Sequence, residues 1–424
     1  MNAREHCYEV LMAVYREGAY SNLTLNQLFA RVAIPETDRG FITRVVYGTL
    51  QNSLLLRYWI KEATPGKTLD YPVLVLLLMS LYQLRFMDRV PAYAVVNEAV
   101  ELAKQHRGAS AGRFVNAVLR HLNDQPTSLT RERFQDEIAY QSLLHSYPEW
   151  LVRMYAKHYG EEVALRLIQH HDTPPPLSLR YNPLRPLELD QLPPEDFHAG
   201  NLSPVGYHYF GHHHFVQTPY YREGHFAIQD EASQMVAPLL APLPGERVLD
   251  MCAAPGSKTA HLASLMNNEG TIDAVDIHPH RIQLLEEGMR RLGVTNVKAL
   301  TGDVLQLIHQ VGEGVYDRIL LDAPCSGFGV IRRKPDLLLR TKQEQLDELL
   351  TLQQNMLQTA VRLLKPGGVM VYSTCTLNRK ENQLQIQNLC HTTPSMHLDI
   401  ERQIFPFEYD SDGFYLAKLT KETL

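Results

Sequence analysis

Cysteine is scarce in this chain, five residues in 424, and the five show no framework spacing. That excludes a disulfide-stapled secreted scaffold and fits a reducing cytoplasm, where thiols are catalytic or structural rather than paired. Long apolar runs are missing as well. The greasiest stretch, Val73 to Leu84, contains Ser80, Tyr82 and Gln83. It is too short to cross a bilayer and reads as a buried core helix. Met1 to Val10 carries charges and no apolar core, so no secretory leader is expected and the protein is expected in the cytoplasm, away from membranes. Internal repeats and low-complexity tracts are absent.

A strong charge of one sign is also lacking. The net charge is −6, but residues 1–140 hold 16 Lys+Arg against 14 Asp+Glu, and the remainder holds 25 against 33. Any nucleic-acid binding must therefore use local basic patches rather than a global field. Hydrophobic content of 45% and charged content of 21% are ordinary for a globular protein. A chain of 424 residues exceeds one comfortable core, so two or three domains are expected.

Residues 1–140 read as an all-α domain. The helical period shows in Phe41, Val45, Val46 and Leu50, and again in Val95, Val96, Ala99, Val100 and Ala103. Residues 121–145 are polar and read as a linker or docking helix, and one more amphipathic helix is expected near Val152 to His170. Pro174-Pro175-Pro176 then stops helix, because proline lacks a donor and clashes with the preceding turn. Leu177 to Tyr181 alternates like a strand, and 177–215 reads as a small α+β piece within a linker domain spanning 141–215. From 216 to 424, short apolar runs alternate with helical patterns, the signature of a doubly wound α/β sheet. Strands are expected at Arg247–Met251, Thr271–Asp276, Val297–Thr301, Arg318–Asp322 and Val369–Ser373.

The first of these strands runs into Cys252-Ala253-Ala254-Pro255-Gly256-Ser257-Lys258, with a helix after it. Small residues there let the backbone approach a ligand, and the helix start offers unpaired N–H groups. Asp276 ends the next strand, twenty residues past Gly256, where a carboxylate can grip a ribose diol. Asp303 follows the third strand, placed to hold an adenine amino group. A GxGxxG fingerprint is absent and Pro255 would obstruct one. An adenosine ligand without a pyrophosphate is favoured, namely S-adenosylmethionine (SAM).

Two cysteines also follow strands. Cys325 lies in Asp322-Ala323-Pro324-Cys325-Ser326-Gly327, and Cys375 in Ser373-Thr374-Cys375-Thr376. The carboxyl edge of an open α/β sheet is where ligands bind. Carbon 5 of a pyrimidine is a poor nucleophile, which an enzyme can activate by adding a thiolate to C6. That chemistry needs a nucleophilic thiol, an acid at ring N3 and a second group to help elimination. Asp322, Cys325 and Cys375 are of the right types. Cys7 and Cys390 lack a motif and read as core residues, and Cys252 belongs to the backbone path of the small-residue loop.

Asp250–Thr259, Asp322–Gly327 and Ser373–Thr376 together resemble the RNA cytosine-C5 methyltransferases of the Nol1/Nop2/Sun family. Leu177–Asn182, Gln229–Ser233 and Asp412–Lys418 resemble that family's flanking motifs. The N-terminal helices, with Phe114–Arg120, are similar to the RNA-binding NusB-like fold. The resemblance runs nearly end to end and implies a Rossmann-like SAM-dependent domain that methylates a cytosine of small-subunit (16S) ribosomal RNA. It implies Cys375 as nucleophile, Cys325 as the group assisting product release and Asp322 holding the target ring. Cys252 to Lys258, Asp276, Asp303 and Asp322 would contact SAM. Ser257 departs from the usual glycine, and it fits provided its φ is negative.

His212-His213-His214 does not make a metal site, because adjacent histidines splay apart and no second ligand pair has matching spacing. Arg332-Arg333-Lys334 is a candidate phosphate clamp or a solvated surface. A monomer is expected. Competing readings are a non-catalytic RNA-binding assembly factor, or the same chemistry on transfer RNA or DNA.

Overall fold

The computed structural model describes residues 2–125, 129–341 and 345–423. The chain forms two compact units, Met1–Thr173 with Ile331–Thr341, and Pro174–Val330 with Lys342–Leu424. The segment 141–215 thus divides at Thr173, its α-helices grouping with the first unit and its strands with the second.

The first unit is helical and is built around the helix Tyr71–Phe86. Asp70 caps this helix by accepting the Val73 N–H, and Pro72 sits in its first turn. It is apolar on every side, so it is buried on every side, with ten residues between Val73 and Gln83 out of solvent. Helices Ala3–Glu17, Glu36–Gln51, Ser53–Ala63, Ala92–Arg107 and Ala109–Asp124 surround it. Gly48 permits one close approach, since a Cβ there would stand 2.0 Å from the Tyr82 ring.

The helix expected over Val152 to His170 is two helices, Glu149–Tyr159 and Glu161–His170. Gly160, at φ 90°, breaks them. The apolar period continues across the break, which is why the pattern alone reads as one element. Between 121 and 145, the preceding helix runs on to Asp124 and a separate helix covers Glu137–Leu144.

Ile331–Thr341 joins this unit from far along the chain. The nearly fully buried Asp336 accepts the Ser21 hydroxyl proton, Arg340 lies 3.6 Å from the Tyr20 ring centroid, and Leu339 packs on the helical core. Arg332 donates to the Thr173 carbonyl at 3.0 Å and to its hydroxyl at 3.1 Å. The run considered as a phosphate clamp therefore commits one of its guanidiniums to the protein itself.

The second unit contains two sheets. The smaller has order β2-β3-β1-β4, with β1 at Leu177–Tyr181, β2 at Phe197–Ala199, β3 at Gly206–Tyr209 and β4 at Phe226–Ile228. Leu179, Phe197, Tyr209, Phe215 and Phe226 form its aromatic core. Its fourth strand lies beyond the expected 177–215 piece.

The larger sheet comprises β5 (Arg247–Asp250), β6 (Thr271–Asp276), β7 (Val297–Thr301), β8 (Tyr316–Asp322), β9 (Leu364–Thr374), β10 (Met396–Ile404) and β11 (Phe414–Lys421). Its order is β10-β11-β9-β8-β5-β6-β7, with β5 to β9 parallel and β11 antiparallel to both β9 and β10. The five expected strands are all present, in a Rossmann-like fold. The antiparallel hairpin at the edge is an addition. β10 is mostly exposed and carries Asp399, Glu401 and Arg402, so it lacks the buried apolar run by which the parallel strands are recognised. Among the described residues no helix is long and apolar enough to cross a membrane.

Candidate active site

Strand β5 lies between β6 and β8, so the connections leave β5 toward opposite sides of the sheet. Such a switch point opens a crevice at the carboxyl ends of the strands. The acids and the Cys375 thiol singled out for the chemistry stand at this edge. Asp250 ends β5, Asp276 ends β6, Asp303 follows β7, Asp322 ends β8, and Cys375 follows β9.

The small-residue loop leaves β5 held by backbone bonds from Ala253 N–H to the Val275 carbonyl, 2.9 Å, and from Gly256 N–H to the Ala253 carbonyl, 2.8 Å. The Ala254–Pro255 peptide is cis. Gly256 has φ 102°, and a Cβ there would meet Met289 Cε at 2.9 Å and Leu285 Cγ at 3.0 Å. Glycine is required at that position on both counts. Ser257 carries no positive φ and begins the helix Ser257–Leu265, so its departure from glycine is accommodated.

Asp276 is buried and faces this loop through an intermediary that sequence reasoning missed. Arg281 pairs with it at 3.0 Å and also donates to the Ala254 carbonyl. The other Asp276 oxygen accepts the His278 N–H at 3.0 Å. Asp303 caps the short turn after β7 through the Leu305 N–H, 2.9 Å, and Gly302 beside it donates to the Asp276 carbonyl at 3.1 Å. Asp250, fully buried, accepts the Thr259 hydroxyl proton at 2.8 Å. Burial, above all, pushes its carboxyl up to about 7.

Asp322 links the loop to the cysteines. One oxygen pairs with Lys258 at 2.7 Å, and the other accepts the Ser373 hydroxyl proton at 2.7 Å. Burial disfavours the Lys258 cation, but the Asp322 charge and hydrogen bond, and then Cys375, outweigh it and hold the ammonium above its usual range. Cys325 and Cys375 are both part-exposed, with their sulfurs 3.5 Å apart. The hydrogen bond with Cys375, then burial and the Glu381 charge, push the Cys325 thiol well up. Cys252 is pushed up too, first by burial and then by the acids at 250, 322 and 276, so it remains a quiet thiol. Cys7 is buried in the helical core and Cys390 packs against the sheet.

Glu381 is the site residue least visible in the sequence. Fully buried, it accepts from the Ser326 N–H (2.9 Å), the Ser326 hydroxyl (2.7 Å), Asn378 Nδ2 (3.0 Å) and Gln353 Nε2 (3.1 Å). Asn382 accepts the Thr374 hydroxyl proton at 2.6 Å and donates to the Thr376 carbonyl at 2.9 Å. Glu381 thereby fixes the loop carrying Cys325, and Asn382 fixes the loop carrying Cys375. Gly329 donates to the Cys375 carbonyl at 2.9 Å, and a Cβ there would lie 1.9 Å from the Gly413 carbonyl oxygen. Arg180, read from the sequence only as part of a flanking motif, is fully buried. It donates to the Ser257 carbonyl at 3.4 Å, and burial lowers it to about 9.

Comparison with known proteins places this geometry in a family. The 16S rRNA methyltransferase RsmB/F family matches residues 237–420, and the NusB family matches residues 1–124. The probable ribosomal RNA small subunit methyltransferase B of Bacillus subtilis is 35% identical, covering 99% of each chain. The protein of the same description from Synechocystis is 32% identical, covering 99% of this chain and 100% of its own. The crystal structure of PH0851 superposes with a TM-score of 0.84 at 25% identity, over 98% of each chain.

Proposed function

Because this chain belongs to the RsmB/F family of 16S ribosomal RNA methyltransferases, whose cofactor is S-adenosylmethionine, we propose that it methylates carbon 5 of a cytosine in small-subunit ribosomal RNA through a transient bond between Cys375 and the ring. The observation that carries this reading is the pair of sulfurs 3.5 Å apart, beside an aspartate that ends the neighbouring strand.

The residues at the sheet edge fit the cofactor. Gly256 and the alanines at 253 and 254 leave the loop backbone open to close approach, and the buried carboxylate of Asp276 ends β6 where a ribose diol would be held. Cys252 to Lys258, Asp276 and Asp303 would hold it, with Asp322 at the methyl-donor end. When bound, SAM supplies an electrophilic methyl group on a sulfonium.

The remaining work falls to the protein. Cys375, its thiol proton passed to solvent, adds as the thiolate to C6 of the cytosine beside the Lys258 cation, and the ring becomes enamine-like at C5. Asp322, oriented by Lys258 and Ser373, contacts the ring at N3. After C5 has taken the methyl group, the electron pair of its C–H bond expels the Cys375 sulfur from C6, the Cys325 thiol giving its proton to the departing sulfur and taking the C5 proton in return. Cys325 assists that elimination. Its raised pKa supports this division of labour, since a thiol that keeps its proton is a poor nucleophile beside one that does not. The NusB-like helices would bind the RNA.

The test is transfer of labelled methyl from SAM to small-subunit ribosomal RNA taken from cells lacking this protein. Label recovered as 5-methylcytidine is the expected result. RNA binding without transfer, or label in a different nucleoside, would overturn the reading.

A further inference from the structure

We propose that an anion-binding cleft on the methyltransferase unit, built around Arg291 and lined by Arg185, Arg222 and Arg290 at the sheet edge opposite the cysteines, grips backbone phosphates of the RNA substrate. The inference rests on the ribosomal RNA reading above and extends it to a surface remote from the chemistry.

The four arginines are scattered along the sequence and converge only in the fold. They line a cleft of about 520 Å³ together with His225 and Glu223. Its position follows from one helix. Pro279–Leu292 begins just past Asp276, at the carboxyl edge of the sheet, and carries Arg290 and Arg291 in its last turn. Fourteen residues of helix span about 21 Å, so the cleft lies at the other edge.

The cleft is constructed, not an accident of loose surface side chains. Buried Asn182 donates to the Gly224 carbonyl at 2.8 Å and the Leu292 carbonyl at 2.9 Å, tying the smaller sheet to the end of that helix. Gly224 makes the approach possible, since a Cβ there would stand 2.1 Å from the Arg291 carbonyl oxygen. Arg291 is fixed by bonds to the Tyr221 and Phe226 carbonyls, 2.7 and 3.0 Å, with its guanidinium 3.8 Å from the Tyr221 ring centroid. Arg185, Arg222 and Arg290 are exposed around it. The single acid, Glu223, faces His225 at 3.2 Å.

Four guanidiniums against one carboxylate make a strongly positive recess on a chain whose net charge is −6. Planar forked donors match phosphate oxygens better than any other side chain. A ribosomal RNA chain reaching around the unit presents phosphodiesters in series, and contacts of this kind position a nucleic acid without reading its sequence.

The test uses the full-length protein with Arg185, Arg222 and Arg290 all changed to Gln, leaving Arg291 in its structural role. Affinity for a small-subunit ribosomal RNA transcript is measured over a series of salt concentrations, beside the same three positions changed to Lys. The slope of log affinity against log salt should fall by about 3 in the Gln variant, roughly one per lost phosphate contact. The Lys variant should retain most of the slope, and SAM affinity should match wild type in both, showing that the unit is intact. Wild-type slope and affinity in the Gln variant would overturn the cleft while leaving the methyltransferase reading in place. A wild-type protein that neither binds nor methylates this RNA would overturn both.

Discussion

The sulfur of Cys325 lies 3.5 Å from the sulfur of Cys375. Neighbouring parallel strands deliver them, because β8 and β9 pair Asp322 with Ser373 and both chains leave the sheet at that point. The two thiols are not equivalent. Cys325 is braced through Ser326 to a buried carboxylate, whereas Cys375 lies within electrostatic reach of the Lys258 ammonium. That asymmetry underlies the roles assigned to them and the predictions below.

Lys258→Met should lower methyl transfer by on the order of 10²-fold or more. The substitution removes the cation that pairs with Asp322 and that, in the proposed mechanism, stands beside the Cys375 thiolate. Loss of a neighbouring cation raises a thiol pKa, so the single-turnover rate should rise with pH only at higher pH than in wild type. An unshifted profile would detach Lys258 from the nucleophile.

Glu381→Gln should destabilise the protein by about 2 to 4 kcal/mol. The carboxylate accepts four hydrogen bonds, and an amide turns one acceptor into a donor facing other donors. Thermal unfolding reads the loss. Methyl transfer should fall with it, since the Cys325 loop loses its anchor, while SAM affinity should hold because the Cys252–Lys258 loop is untouched.

Asp250→Asn should change how stability depends on pH. In the folded protein burial raises the Asp250 carboxyl from near 3.8 to about 7, so between those values the folded state binds a proton that the unfolded chain releases. Stability from this group is therefore full below about 4 and is lost as pH rises through about 7. Wild type minus the Asn variant should decline across that window by up to about 4 kcal/mol and then stay flat. Denaturant unfolding at a series of pH values gives the difference directly. A flat difference would mean that Asp250 is ionised throughout.

The parallel core of the sheet was legible in the sequence because strands buried on both faces read as continuous apolar runs, and their ends bring Asp276, Asp322 and Cys375 to one edge. The antiparallel hairpin was not, because Met396–Ile404 is largely exposed and its register depends on a partner close in sequence but far in pattern. Gly160 left no trace in an amphipathic period that continues across it. Glu381 and Asn382 sit in the polar run Asn378-Arg379-Lys380-Glu381-Asn382, which reads as a solvated turn. Only the fold reveals that this run turns inward beneath both cysteine loops. The arginine cleft was hidden for the opposite reason, since its members are spaced too widely to form a basic run.

The most direct measurement incubates the Cys325→Ala protein with SAM and small-subunit ribosomal RNA, then resolves the mixture on a denaturing gel. A slowly migrating protein–RNA species is expected, with peptide mass spectrometry locating the bond at Cys375, and it should vanish when Cys375→Ala is added. An adduct that instead forms through Cys325 and persists in the Cys375→Ala protein would contradict the assignment and exchange the roles of the two thiols.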